Sequence, residues 1–172
     1  MTIHFADSTS IASGTGLGGL VQVKQTFKTD HYSAKQTSFT DITGMSVTIT
    51  PTSSSNKILL LCTINWSSSS NSYHGYRFMR GSTAIGLSTA LSDGSTIASF
   101  AGGSSSQGQW VNKIITANQS FLDSPNTTSS TTYKIQHITW DETLHVNRPH
   151  DTGGARYTMA VTSSITAMEV KP

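Results

Sequence analysis

The stretch Met45–Leu61, MSVTITPTSSSNKILLL, joins two different strand signatures across a polar turn. Met45, Val47 and Ile49 alternate with Ser46, Thr48 and Thr50, the period of two expected of a strand with one wet face. Pro51 removes a backbone donor, and Thr52 to Asn56 is turn chemistry. From Ile58 to Ile64 apolar residues occupy both alternating sets, the pattern of a strand covered on both sides. Leu60, Cys62 and Ile64 should face one way, Leu59, Leu61 and Thr63 the other, with both sets largely buried. The stretch therefore predicts a hairpin, an outer strand paired with a core strand, whose Ser-rich turn points outward.

The whole chain repeats this texture. Its 172 residues are enough for one domain with a sizeable core. Charged residues make up only 12% and hydrophobic ones 35%, so solubility rests on hydroxyl groups rather than on charge. Abundant Ser and Thr with clear periodicity from Leu20 to Val170 indicate a β-rich surface and exclude a disordered body. The net charge is +2 and no two basic residues are adjacent, which leaves no phosphate-tracking stripe and argues against nucleic acid as a partner. Cys62 is the single cysteine and falls inside an apolar strand, where a buried free thiol is expected. Neither a secretory leader nor an apolar run long enough to span a bilayer is visible, so no membrane insertion is expected.

Residues 1–19 differ from the rest. They hold one short apolar group, Ile3 and Phe5, followed by the glycine-rich run Ser13 to Gly19. So much glycine disfavours a packed element, and the segment reads as an arm with Ile3 and Phe5 as anchors and Gly14 and Gly16 in its hinge. Residues 20–172 form the body. Strands are expected at Leu20–Lys28, Thr37–Thr40, Met45–Thr50, Lys57–Trp66, Tyr73–Arg80, Ala84–Leu87, Ile97–Ala101, Trp110–Ala117, Thr132–Trp140, Leu144–Val146, Arg156–Val161 and Ser164–Val170. No segment carries a convincing helical period. Short strands spaced by Gly, Ser and Asn turns imply a sandwich, jelly roll or barrel.

Sites of chemistry are hard to find. Gly14 to Gly19 matches G-x-G-x-x-G, but a dinucleotide site needs a strand before it and a helix after it, and a β-alternating segment follows. Asp141-Glu142 is the one adjacent carboxylate pair, and strand neighbours point to opposite faces. No G-x-S-x-G nucleophile elbow occurs. The six histidines lack close ligand spacing, and the densest group, His145 to His150, reads as a polar loop ending at a proline. No catalytic, metal or cofactor residue is assigned, and the chain is read as non-enzymatic. The aromatics Trp66, Tyr73 and Trp110 are the candidates for surface recognition, Trp66 and Tyr73 because they flank a Ser-rich loop; a stacking host glycan is the ligand such rings could take.

Several blocks together carry a resemblance. Val21-Gln22-Val23-Lys24-Gln25-Thr26 leads into Thr37 to Val47, then Ile49-Thr50-Pro51, Ser55-Asn56-Lys57-Ile58-Leu59 and Arg77 to Gly86, and Ser163 to Val170 closes the series. This is similar to small tail-fibre-like and accessory virion proteins of bacteriophages of aquatic bacteria, from about Leu20 onward. The resemblance implies a virion protein, trimeric and folded as a jelly-roll-like antiparallel β-sandwich, docked to another virion protein through the arm. It supplies no catalytic residues. Two roles fit: a tail-fibre or fibre-tip module for host attachment, and a capsid decoration protein of the cement or head-fibre kind. Loops rich in Ser, Asn and aromatics favour the first; an arm reaching at most roughly 65 Å, in place of a long shaft, favours the second. A carbohydrate-active enzyme ranks behind both.

Overall fold

In a computed structural model the structure describes residues 3–4, 10–11, 19–68, 73–89, 101–104, 113–140, 142–151 and 159–172. The described elements are all strands: β1 (Ile3–His4), β2 (Ser10–Ile11), β3 (Leu20–Lys28), β4 (Tyr32–Ala34), β5 (Thr40–Ile49), β6 (Lys57–Ser67), β7 (Tyr73–Arg80), β8 (Thr83–Ile85), β9 (Ala101–Ser104), β10 (Ile115–Asp123), β11 (Thr131–Thr139), β12 (Leu144–Val146) and β13 (Ser163–Val170). Within the arm, β1 and β2 pair antiparallel, Ile3 opposite Ile11. Phe5, Gly14, Gly16 and Trp110 lie outside the described residues, as does the strand expected at Ile97–Ala101 apart from Ala101; of the one expected at Arg156–Val161, Met159 to Val161 are described and are not strand.

The body is an antiparallel sandwich of two sheets. One runs β3-β13-β6-β12-β4 with β10 on the free edge of β6; the other runs β5-β11-β7-β8 with β9 also on β7. This corrects the expected hairpin. β5 and β6 belong to opposite sheets, and the Pro51–Asn56 turn is an arch over the end of the core. Alternation shows which face a strand buries, not which strand it pairs with, and here the neighbour of β6 comes from the far end of the chain, Thr166 standing opposite Leu61.

β5 starts earlier than the strand expected at Met45–Thr50, while the strand expected at Thr37–Thr40 is absent but for Thr40. Ile42 and Met45 both face the core although they are three residues apart. The pairing with β11 slips between Lys134 and Gln136, which face Ser46 and Asp41. Gly44, at φ +83°, supplies the left-handed residue that such a bulge needs. A Cβ at Gly44 would also lie 3.2 Å from the Lys28 ammonium, so both backbone and neighbour select glycine there.

The two inner faces meet in one contiguous core. Ile58, Leu60, Cys62, Ile64, Trp66, Ile165 and Ala167 pack against Met45, Val47, Ile49, Phe78, Tyr133 and Ile135. Along one side β3 ties to β5 through side chains: Thr26 Oγ1 donates to the Ser46 carbonyl, and Gln22 Nε2 donates to that of Thr50. On the other side Phe121 of β10 packs against Gly86, whose virtual Cβ would come within 3.0 Å of the ring. The second face of β6 departs from expectation. Leu59 and Thr63 are only half-buried and Leu61 is 40% exposed, because nothing among the described residues covers that side.

Polar clamps close the end of the sandwich where the arm enters. The Glu169 carboxylate is fully buried; Oε1 accepts from the Thr52 amide at 2.6 Å, the Thr52 hydroxyl at 2.8 Å and Asn56 Nδ2 at 2.6 Å, and Oε2 accepts from Gln22 Nε2 at 2.6 Å. Beside it, Asp123 of β10 accepts from Arg80 of β7 at 2.9 Å and from the Tyr133 hydroxyl at 2.7 Å, joining the two sheets. Burial, reinforced by the bond to Asp123, pushes the Tyr133 hydroxyl well above its ordinary range.

Leu60 is fully buried and Leu61 is not, so the pair tests the face assignment. Leu60→Ala should lose about 2–5 kcal/mol in urea unfolding, and Leu61→Ala well under about 1 kcal/mol. Equal losses would refute the assignment. Glu169→Gln would set an amide against donors and should cost about 2–3 kcal/mol. Burial raises the Glu169 carboxyl, but the bonds from Asn56, Gln22 and Thr52 outweigh it and hold it at about 2, below its ordinary 4.5. Its contribution is therefore present above pH 4.5 and lost as pH falls toward 2, and the acid limb of the wild type in that window should flatten in Glu169→Gln.

Candidate functional site

The body has two poles. At one, Gly19 accepts from the Lys171 amide, and the Pro51–Asn56 arch and the loop after Asp123 lie beside it. At the other, β6 ends, β7 begins and β11 ends, so Trp66, Tyr73, His74, Thr139 and Trp140 gather together. The eleven residues of β6 separate the poles by about 35 Å at strand rise. Sequence order does not reveal this. It follows from the register, which runs Arg80 opposite Tyr133 at the first pole and His74 opposite Thr139 at the second.

Side chains near the far pole alternate as strands require. His74, Tyr76 and His137 point inward with Trp66, whose ring lies 4.6 Å from His74 and 6.1 Å from Tyr76. His137 Nε2 shares a 2.8 Å hydrogen bond with the Tyr32 hydroxyl. His145 bridges outward, Nδ1 to the Ser33 hydroxyl at 2.8 Å and Nε2 to His150 Nδ1 at 3.2 Å. Neither nitrogen of His74 has a hydrogen-bond partner among the described residues. Burial lowers His74 to about 4, helped by repulsion from His145; burial and then His74 lower His137 to about 4; burial, then Arg148 and His150, do the same to His145. All three are neutral at pH 7. Asn147, in the left-handed region at φ 66°, organises the floor: its amide donates to the Lys28 and Asp30 carbonyls and its Oδ1 accepts from Ser163.

The outer side of this pole carries a different pair. One step beyond His74 and Thr139 the antiparallel register sets Tyr73 opposite Trp140, and the Trp140 amide donates to the Tyr73 carbonyl at 3.2 Å. Tyr73 is 63% exposed and Trp140 49%. Trp140 lies one residue past the end of β11 and Tyr73 is the first residue of β7, so the two exposed side chains are joined through this backbone bond.

The candidate residues named from sequence thus separate. Tyr73 is on the surface, as a recognition residue must be. Trp66 is not: it is 3% exposed and belongs to the core, because its position on β6 shares the inward face with Leu60 and Ile64. Ile3 lies in β1, and Trp110, Phe5, Gly14 and Gly16 lie outside the described residues. Trp140 was not among the three aromatics singled out from sequence, and the backbone bond that ties it to Tyr73 shows only in the structure. His145 and His150 are more than a loop: His145 is in β12, paired to Ser67 of β6 and Ser33 of β4.

Among the described residues no group of three His, Cys, Asp or Glu is placed to hold a metal ion. Burial pushes the Cys62 thiol well above its ordinary value, away from the reactive thiolate.

A second surface is the outer face of the first sheet. Three successive cross-strand rows, Val23-Met168-Leu59-Leu122, Gln25-Thr166-Leu61-Ser120 and Phe27-Ser164-Thr63-Asn118, hold no charged side chain. Val23, Phe27, Leu61 and Leu122 are exposed within them.

Because His74, His137 and His145 are neutral in the fold, with values near 4 against an ordinary 6.5, they favour the folded state above pH 6.5, and that stability is lost as pH falls through 4. Urea midpoints should drop across this window, and His74→Phe, which keeps a ring against Trp66, should remove about one proton from the dependence. An unchanged slope would show that His74 is already protonated in the fold. No family model matches the chain, and no curated protein matches it.

Proposed function

We propose that the chain is a bacteriophage virion protein, a trimeric module of tail-fibre or fibre-tip type that docks by its N-terminal arm and presents the body to the host surface. The observation that carries this reading is the polarity of the body. The chain enters at Gly19 beside the Glu169 clamp, and the exposed Tyr73–Trp140 pair stands at the opposite pole. A module held at one end and free at the other displays what its far end carries.

The outer face of the first sheet supplies the surface for self-association. Its uncharged rows would meet an equally uncharged surface without stranding a charge, and contiguous apolar surface of this kind marks contact sites. Capsid decoration remains the second reading; it uses the same arm but gives the far pole no ligand.

Light scattering of the full chain should give three times the chain mass, and Leu122→Asp should shift it toward one. A monomeric wild type at micromolar concentration would remove the trimer. Removing residues 1–19 should leave a folded oligomer with nearly unchanged Tm that no longer joins particles. Normal occupancy of the truncated chain on virions would make the body the docking surface and end the display reading. Particles carrying Trp140→Ala should incorporate the protein normally but adsorb to host cells more slowly; unchanged adsorption would favour decoration.

A further inference from the structure

His145 and His150 converge near the far pole, Nε2 of the first lying 3.2 Å from Nδ1 of the second. Two imidazoles on one tetrahedral ion, each about 2.05 Å from it, hold their nitrogens about 3.3 Å apart and their ring centroids about 5.2 Å apart. The centroids here are 5.2 Å apart and the rings are tilted by 53°. A straight hydrogen bond of the same length would set the centroids about 5.5 Å apart, so the rings lean off the line that joins their nitrogens. His145 is also held from behind. Its Nδ1 shares a 2.8 Å hydrogen bond with the hydroxyl of Ser33, the residue directly opposite it on β4. With its proton on Nδ1 and donated to Ser33, His145 presents a lone pair at Nε2, the arrangement a ligating imidazole needs.

The turn between the two rings is already shaped. The Asn147 side-chain amide donates to the Lys28 and Asp30 carbonyls, and its backbone N–H donates to the Asn65 carbonyl. Arg148 donates to the carbonyls of Pro149 and His150. Little conformational entropy is left to lose when an ion enters. Imidazole nitrogens suit Zn²⁺, Ni²⁺ and Cu²⁺ and not Mg²⁺ or Ca²⁺, which take oxygen ligands. The Arg148 guanidinium in the same turn opposes any cation and keeps the affinity moderate. No third His, Cys, Asp or Glu joins the pair among the described residues. We infer that His145 and His150 form a two-imidazole site for a divalent transition-metal ion whose other positions are open to water. Such an ion clamps the turn to β12 and, through Ser33, to the edge strand β4.

The test uses the purified, tag-free full chain, stripped with a chelator, and the chlorides of Zn²⁺, Cu²⁺ and Mg²⁺ at neutral pH. Calorimetry should show one Zn²⁺ per chain at micromolar affinity and no uptake of Mg²⁺. Zn²⁺ binding should fall about thirtyfold or more in His145→Ala and in His150→Ala, and about tenfold in Ser33→Ala, which loses the bond that orients His145. His31→Ala, which removes an exposed imidazole, should bind as the wild type does. Electron paramagnetic resonance of the Cu²⁺-loaded chain should carry splitting from two nitrogens in the wild type and from one in His150→Ala. Zn²⁺ at about a hundredfold its dissociation constant should raise the wild-type Tm by about 5 °C or more.

No Zn²⁺ binding by the wild type, undiminished binding in His150→Ala, or copper spectra without two nitrogens would reduce the pair to a hydrogen bond and overturn the inference. An equal loss in His31→Ala would overturn it too, by placing the ion elsewhere. Metal-free thermal melts show whether each variant keeps the fold; if His145→Ala does not, His150→Ala, in the turn beyond the strand, still decides. None of these outcomes depends on particles or on host attachment.

Discussion

The Glu169 carboxylate sits where three parts of the chain must meet. It belongs to β13, in the middle of the first sheet, yet its oxygens accept from Thr52 and Asn56 in the arch to the second sheet and from Gln22 on the edge strand β3. A fully buried anion is tolerated only when hydrogen bonds replace its hydration, and here four do so. The arch has no long hydrophobic stem to hold it, since Thr52 to Asn56 is wholly polar. Without the carboxylate the crossing from β5 to β6 would lack a fixed position, and with it the stacking of one sheet on the other.

The two poles solve the same problem with different electrostatics. Near the arm, buried polar groups are satisfied by ionised side chains, Glu169 and the Asp123–Arg80 pair. At the far pole they are satisfied mainly by neutral groups, Asn147, Ser163, Tyr32 and imidazoles held uncharged by burial. The consequence is two separate acid responses. As pH falls below 6.5 the imidazoles of the unfolded chain take up protons that the folded far pole refuses, so its stability declines first, while the arm-side clamp holds until the carboxylate range. Only 12% of the residues are charged, and the buried ones stand at both ends: Glu169 at the arch, and Lys28, paired with Asp30, beside Asn147.

Much of the architecture was legible because alternation reports burial directly. β3, β7 and β12 match their expected limits, and β6, β11 and β13 do so within a residue or so. The failures share a cause. Pairing depends on residues far apart in the chain, so the arch read as a hairpin and the partner of Tyr73 went unseen. The bulge at Gly44 hid the first half of β5 because it shifts the phase of alternation between Ile42 and Met45. Trp66 illustrates the converse. Its neighbouring Ser-rich loop suggested a surface ring, but the phase set by Leu60, Cys62 and Ile64 carries through to position 66 and buries it.

That phase also explains why a recognition pair can stand at the far pole without a dedicated loop. His74 and Thr139 must face inward to complete the core end, so the residues just before and just after them must face outward. Large side chains at Tyr73 and Trp140 are then exposed by the same alternation that buries their neighbours. A backbone hydrogen bond from Trp140, just past the end of β11, to Tyr73 at the start of β7 ties the two positions together. The core that closes the sandwich and the surface proposed to meet the host are two faces of one register.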